Sequence, residues 1–275
     1  MFRECWQYLV TPCSSHLRQL GYLKELIGIQ SRYHRSHKLW RSHLQKTKGF
    51  ILEGARRCNR RRKVVILGSG WLLDIPLKSL AGMFDEVFLL DVVHPLTARR
   101  TARRFPNVKL VEKDVSGVAM DVFQLARRVR ITGKKEPLSA LGPSVPQSKN
   151  DIDYVVSANL LSQLPMVPVE YLRKLQDRVG GSMYKEPEIQ EFTRRILEQH
   201  VQTLREGVCQ SCLVADVEAI TLDREDKVVE KMGLLDGLSL PPVQCEWMWE
   251  IADFGEVHAN QRICHRVVGI YTISS

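Results

Sequence analysis

Along this chain, short runs that are apolar at nearly every position alternate with stretches whose apolar residues recur every third or fourth position. The runs are Val64-Val65-Ile66-Leu67, Val87-Phe88-Leu89-Leu90, Val108-Lys109-Leu110-Val111, Tyr154-Val155-Val156 and Cys212 to Val217. Short, β-branched and without polar alternation, they read as strands of a parallel sheet, whose two faces are both covered by helices. The stretches Trp71–Ala81, Pro95–Arg104, Ala119–Arg130, Val169–Val179 and Glu188–Glu206 read as the helices between them. Two further runs, Trp247 to Ile251 and Ile263 to Ile273, are separated by a loop holding Gly255 and Asn260, which predicts an antiparallel hairpin. Ahead of all this, Leu17, Leu20, Leu23, Ile27, Trp40, Leu44, Phe50 and Ile51 predict helices from Ser15 to about Cys58, broken at Gly28 and Gly49.

The order of these elements predicts an α/β fold. Its core is a doubly wound, mainly parallel seven-stranded sheet closed by a C-terminal antiparallel hairpin and preceded by an N-terminal helical extension. The division is residues 1–62 for the extension and 63–275 for the α/β domain. Residues 131–151, rich in Gly, Pro, Ser and Lys, read as a surface excursion.

Composition changes this picture in one place. The chain has 275 residues, 44% apolar and 26% charged, a globular mixture large enough for one sizeable core. Its net charge of +9 is concentrated at the start: residues 1–63 hold fifteen Lys/Arg against three Asp/Glu. That segment is a candidate surface for an anionic small molecule, RNA or an acidic protein, and its ordinary alternative is a solvated basic helix. The seven cysteines are scattered at 5, 13, 58, 209, 212, 245 and 264, which implies reduced thiols and a cytoplasmic location. Arg3, Glu4 and Gln7 interrupt the first ten residues, unlike a secretory leader, and no eighteen-residue apolar run suggests a membrane span.

In a sheet of this kind a ligand lies beyond the carboxyl ends of the strands. Three features converge there. Gly68-Ser69-Gly70 follows the first run, and glycine permits positive φ and close backbone approach. Asp91 ends the second run, placed to accept the hydroxyls of a ribose. Asp114 follows the third, where a short carboxylate suits an exocyclic adenine amine. Position 73 is Leu rather than the third glycine of the dinucleotide fingerprint, which disfavours a nicotinamide oxidoreductase.

With Asp153 to Pro165 and the closing hairpin, these stretches make residues 63–275 resemble the class I S-adenosylmethionine-dependent methyltransferases. The resemblance implies that Gly68, Ser69 and Gly70 hold the methionine part of S-adenosyl-L-methionine, Asp91 the ribose, and Asp114 with Val115 the adenine. Asn159 and Leu160 would face the transferable methyl group, with Asn159 orienting an unknown acceptor. The chain departs from the family in having Ile66 where an acidic residue usually stands and Leu72 where a glycine is frequent. Asp74 or the N-terminal helices are the candidates to replace the missing hold on the cofactor's amino group. The two departures also keep open a non-catalytic, scaffold-like descendant of the fold.

Other groups read more plainly. Ser157, Ser162 and Gln163 join Asn159 in a polar cluster that either orients an acceptor or satisfies its own turn. His94, three residues after Asp91, is a candidate base, and its plainer readings are a place beside the cofactor or near a helix start. Cys209 and Cys212 read as structural thiols, since the remaining ligand-type residues, Cys245, Cys264 and His265, fall on separate strands. His34, His37 and His43 read as surface residues of the basic helices. Trp247 and Trp249 share one strand face, where packing is the default.

Overall fold

The computed structural model describes residues 2–142, 151–179, 183–205 and 210–273. Helices α1 (Phe2–Val10), α2 (Ser15–Leu20) and α3 (Tyr22–Arg57) precede strand β1 (Lys63–Leu67). Then follow α4 (Leu77–Met83), β2 (Glu86–Asp91), α5 (Leu96–Ala102), β3 (Val108–Glu112), α6 (Ala119–Thr132) and β4 (Tyr154–Ala158). Helices α7 (Met166–Val179) and α8 (Glu186–Arg205) lead to β5 (Gln210–Leu222), β6 (Val228–Gly233), β7 (Cys245–Ala252) and β8 (Arg262–Ile273).

Among the described residues, seven strands lie on one path in the order β3-β2-β1-β4-β5-β8-β7, and β6 pairs off it against β5, so eight strands share the sheet. The first five are mutually parallel, while β8 runs antiparallel to both β5 and β7. The strand β6 was not anticipated from the sequence. It is exposed along its whole length, so no buried run marks it, and it exists because β5 extends to Leu222, well beyond its apolar half.

Register explains the two cores. Side chains alternate across a strand, so Val65, Leu67 and Val155 face α6, α7 and α8, while Val64, Ile66, Tyr154 and Val156 face α3 and α4. Helix α3 spans the second face and carries Trp40, Ile51 and Ala55 into it. Its backbone is pinned there by the Tyr154 hydroxyl donating to Ile51 O at 2.9 Å and the Gln210 amide to Gly54 O at 3.0 Å. At Gly54 a Cβ would stand 2.2 Å from the Tyr154 hydroxyl, so only glycine lets the helix approach this closely.

The expected helix breaks at Gly28 and Gly49 do not occur. The chain instead turns at Gly21, which has φ +112° and caps α2, and α3 bends at Ser36. Within α3 the packing of one apolar stripe against the sheet outweighs the modest helix penalty of glycine. The helix expected from Trp71 begins only at Leu77, because Leu72 takes φ +60° and Pro76 precedes the first turn. The amides that open α4 therefore begin at Leu77, seven residues past Gly70.

Candidate active site

The strand order reverses between β1 and β4, and the loops leaving these two strands diverge to form a crevice, the place where doubly wound sheets bind ligands. Gly68 and Gly70 have φ of +69° and +46°, so the chain after β1 folds tightly back, with Gly68 N and Ser69 N both donating to Leu90 O at the end of β2. Asp91 stands at that end. Its Oδ2 accepts the Gly70 N–H at 2.7 Å and its Oδ1 the Val93 N–H at 3.3 Å. Burial raises the Asp91 carboxyl above the ordinary range, and the Gly70 N–H opposes that rise. The bend and Asp91 are therefore one unit.

Asp114 is placed otherwise than a free adenine ligand would be. Its Oδ1 accepts Ser116 N at 2.9 Å and Ser116 Oγ at 2.6 Å, while Oδ2 accepts Ala119 N at 2.8 Å, so the carboxylate closes the turn that opens α6. Beside it lies a cavity of about 380 Å³, lined by Val92, Glu112, Lys113, Asp114 and Met120 and closed by Ser14, His16 and Leu17 of the N-terminal helices. Val115 does not line it and packs toward the α6 core.

Those N-terminal helices roof the rim. Leu23, Leu26 and Ile27 of α3 pack on Val92, Val93 and Trp71, and the Trp71 indole donates to Leu26 O at 2.7 Å. The Tyr22 phenol is buried beside Asp114, Ser116 and Asp91; burial first, and the two carboxylates with it, raises its pKa. At the opposite end of the bend the Leu160 side chain rests on Gly68, with its methyls 2.7 and 2.9 Å from where a Cβ would stand.

On the β4 side, Asn159 has φ +52° and is buried, its amide 2.6 Å from Asp74 Oδ2 and 3.0 Å from His43 Nε2. His43 is the main residue misread from sequence: it is 1% exposed rather than on the surface. The helical spacing contained the signal, since His43 falls on the stripe Trp40, Thr47, Ile51 that α3 turns to the sheet. Trp247 donates to His43 Nδ1 at 3.0 Å, and Trp249 stacks on the imidazole at 3.9 Å between ring centroids. Burial lowers the His43 pKa to about 3, so the ring is neutral. His34 and His37 are exposed.

A second polar group adjoins this one. Asp216 Oδ2 lies 2.8 Å from His265 Nδ1, and Ser162 donates to Asp216 Oδ1 at 2.5 Å. A register shift between Asp216 and Glu218 re-aims β5 at this level. Burial pushes the Asp216 carboxyl up, but the His265 and Ser162 bonds outweigh it and hold the group below the usual carboxylate range. Ser157 is instead turned to α8, bonded to His200 at 2.8 Å, and Gln163 closes its own turn by donating to Asn159 O. His94 is fully buried, with Nε2 3.2 Å from Val111 O. Cys212 is buried in the core of β5, and Cys209 lies outside the described residues.

Among the described residues, five buried side-chain groups at or next to this rim have no hydrogen-bond partner: the Tyr22 hydroxyl, Ser69 Oγ, His94 Nδ1, the outer arm of the Asn159 amide and Trp249 Nε1. Buried polar atoms are ordinarily satisfied, so this concentration of unpaired groups sets the rim apart from the rest of the interior.

No family model and no curated protein matches the chain. Among solved structures it is similar to a complex of DhpI with SAM and HEP, at 13% identity over 93% of this chain and 99% of that one, with a TM-score of 0.40. It is similar also to the N-methyltransferase NodS of Bradyrhizobium japonicum in complex with S-adenosylhomocysteine, at 10% identity over 84% and 87%, TM-score 0.39. A third is the 1,6-didemethyltoxoflavin-N1-methyltransferase of Burkholderia thailandensis, at 10% identity over 96% and 92%, TM-score 0.36.

Proposed function

We propose that the chain is an S-adenosylmethionine-dependent methyltransferase, with the cofactor across the crevice between β1 and β4. The observation that carries this reading is the Gly70–Asp91 unit, set among buried polar atoms that lack partners inside the protein. The residues fit the group. Asp91, its carboxylate already aimed by the Gly70 and Val93 amides, accepts the ribose hydroxyls. Gly68 and Gly70 admit the methionine part against the backbone, with Ser69 Oγ available to it. The adenine takes the cavity beside Asp114, roofed by Ser14, His16 and Leu17.

When bound, the sulfonium supplies an electrophilic methyl carbon for in-line displacement. The chain's own part is to hold the acceptor in line and to take its proton where it carries one. Asn159 orients the acceptor. His265 is the base: its Nδ1–H is held by the ionised Asp216, which leaves the lone pair on Nε2. The roof of Leu23, Leu26 and Ile27 excludes water from the bend. The acceptor is a small molecule, an RNA or a protein, and the basic N-terminal segment favours an anionic one. No helix of the described residues is long and apolar enough to cross a membrane. The scattered cysteines suit the reducing cytoplasm.

One observation favours a second reading. Leu160 rests on Gly68, as it would in a degenerate cleft retained by a scaffold protein. Calorimetric titration with S-adenosylmethionine and S-adenosylhomocysteine separates the two. Saturable heat that disappears in Asp91→Ala supports the enzyme, and no heat with either ligand removes it.

A further inference from the structure

Four polar side chains form one line at the crevice. The Trp247 indole nitrogen lies 3.0 Å from His43 Nδ1, His43 Nε2 lies 3.0 Å from the Asn159 amide, and the same arm of that amide lies 2.6 Å from Asp74 Oδ2. Counting protons along the line decides what each group is. An indole nitrogen only donates, so His43 Nδ1 accepts and carries no proton. The imidazole is neutral and buried, so its single proton is on Nε2. That N–H needs an acceptor, and the Asn159 arm facing it must therefore be the carbonyl oxygen.

The opposite amide orientation fails in either tautomer. With the –NH2 toward His43, a proton on Nε2 sets two donors against each other at 3.0 Å. A proton on Nδ1 does the same against Trp247. Once the carbonyl faces His43, Asp74 Oδ2 stands 2.6 Å from an oxygen, a separation that two oxygens adopt only with a proton between them.

We infer that Asp74 is held as a neutral carboxylic acid at pH 7, donating to the Asn159 carbonyl and thereby turning the Asn159 –NH2 toward the ligand as an unpaired donor. Burial raises the Asp74 carboxyl, in agreement with this, and outweighs the Asn159 bond, the bond to its own backbone and Lys48, which all act to lower it. The other charged or titratable groups facing the line are Lys46 of α3, Asp216 of β5 and His265 of β8, all acting on His43. Trp249, stacked on His43, has a buried Nε1–H that also lacks an acceptor. Two N–H donors beside one imidazole suit a ligand that presents oxygen acceptors, such as a carboxylate or a carbonyl. Asp74 is then a positioning residue acting through Asn159, and not the anionic partner of a cofactor ammonium group.

The protonation state stands independently of the methyltransferase reading; the use of S-adenosylhomocysteine as the probe ligand rests on it. Carbon-13 aspartate and nitrogen-15 histidine spectra of the wild type and Asp74→Asn read the line directly. One aspartyl carboxyl should keep a protonated shift at pH 7 and vanish in D74N, while His43 shows its proton on Nε2. In calorimetry, D74N should bind S-adenosylhomocysteine within about twofold of the wild type, because an amide still donates to Asn159, whereas Asp74→Ala should weaken it about tenfold or more. Wild-type affinity should fall as pH rises through the ionisation of Asp74, and D74N should abolish that dependence. An ionised Asp74 at pH 7, a His43 proton on Nδ1, or a D74N as impaired as D74A would each overturn the inference. A wild type that binds no S-adenosylhomocysteine removes the cofactor reading alone and leaves the spectra to decide this one.

Discussion

The Gly70 amide donates to Asp91 Oδ2 at 2.7 Å, so the bend after β1 and the carboxylate that ends β2 hold each other in place. Removing the carboxylate should cost both the ligand contact and the shape of the bend. Asp91→Ala should lower affinity for S-adenosylhomocysteine by about 10- to 100-fold, the range for a charge-assisted hydrogen bond. Calorimetry on the two proteins measures it, and equal affinities would show that the ribose lies elsewhere.

Gly54 tests how tightly α3 sits on the sheet. A Cβ there meets the Tyr154 hydroxyl at 2.2 Å and Tyr271 Cε1 at 2.8 Å, and Tyr154 has no room to retreat. Gly54→Ala should destabilise by about 1–3 kcal/mol, the range for overpacking, and lower the melting temperature by some 2–4 °C for each kcal/mol. An unchanged Tm by calorimetry would contradict the packing described.

Acidification should weaken the fold through its buried histidines while ordinary surface carboxylates are still ionised. Burial lowers His200 to about 4 and His43 to about 3, and His94 moves in the same direction. Unfolded histidine takes up its proton near pH 6.5, so below that pH the unfolded chain binds protons that the native state refuses. Stability is full above about pH 6.5 and falls toward pH 4, by at most about 1.4 kcal/mol per pH unit for each such histidine. Urea unfolding at pH 7, 6 and 5 should give that decline, and His200→Gln should remove one histidine's share of the slope.

Arg62 and Asp153 fasten the start of β1 to the start of β4. The Asp153 carboxylate accepts Arg62 N at 2.7 Å and the Arg62 guanidinium at 2.9 Å. Burial acts to raise the Asp153 carboxyl, but these bonds together hold it below its ordinary value. Its contribution is therefore present above about pH 3.9 and lost as pH falls through the folded value. Asp153→Ala should cost about 2–3 kcal/mol at pH 7, and the gap from wild type should narrow in strong acid.

The N-terminal helices cannot be trimmed without consequence to the core. Trp40, Ile51 and Ala55 are buried between α3 and the sheet. Deleting residues 1–55 bares that whole face, so the product should be insoluble or molten by near-ultraviolet circular dichroism. A cooperatively folded product would mean the α/β domain stands without its extension.

Much of this molecule was already written in its residue order. Runs such as Val64–Leu67 and Val87–Leu90 are apolar on both faces, and only a strand covered on both sides stabilises such a pattern, so the parallel sheet and the placing of the Gly68–Gly70 bend and Asp91 at one end of it followed from local chemistry. Tertiary structure alone decided what depends on contacts distant in sequence. His43, which looked solvated among basic neighbours, became buried when α3 laid it between Trp247 and Trp249. Strand β6, exposed throughout, formed only because β5 offered it an edge. A hydrophobic period records how a segment meets its surroundings, whereas a polar side chain's role is set by the partners folding brings to it, and those lie tens to hundreds of residues away.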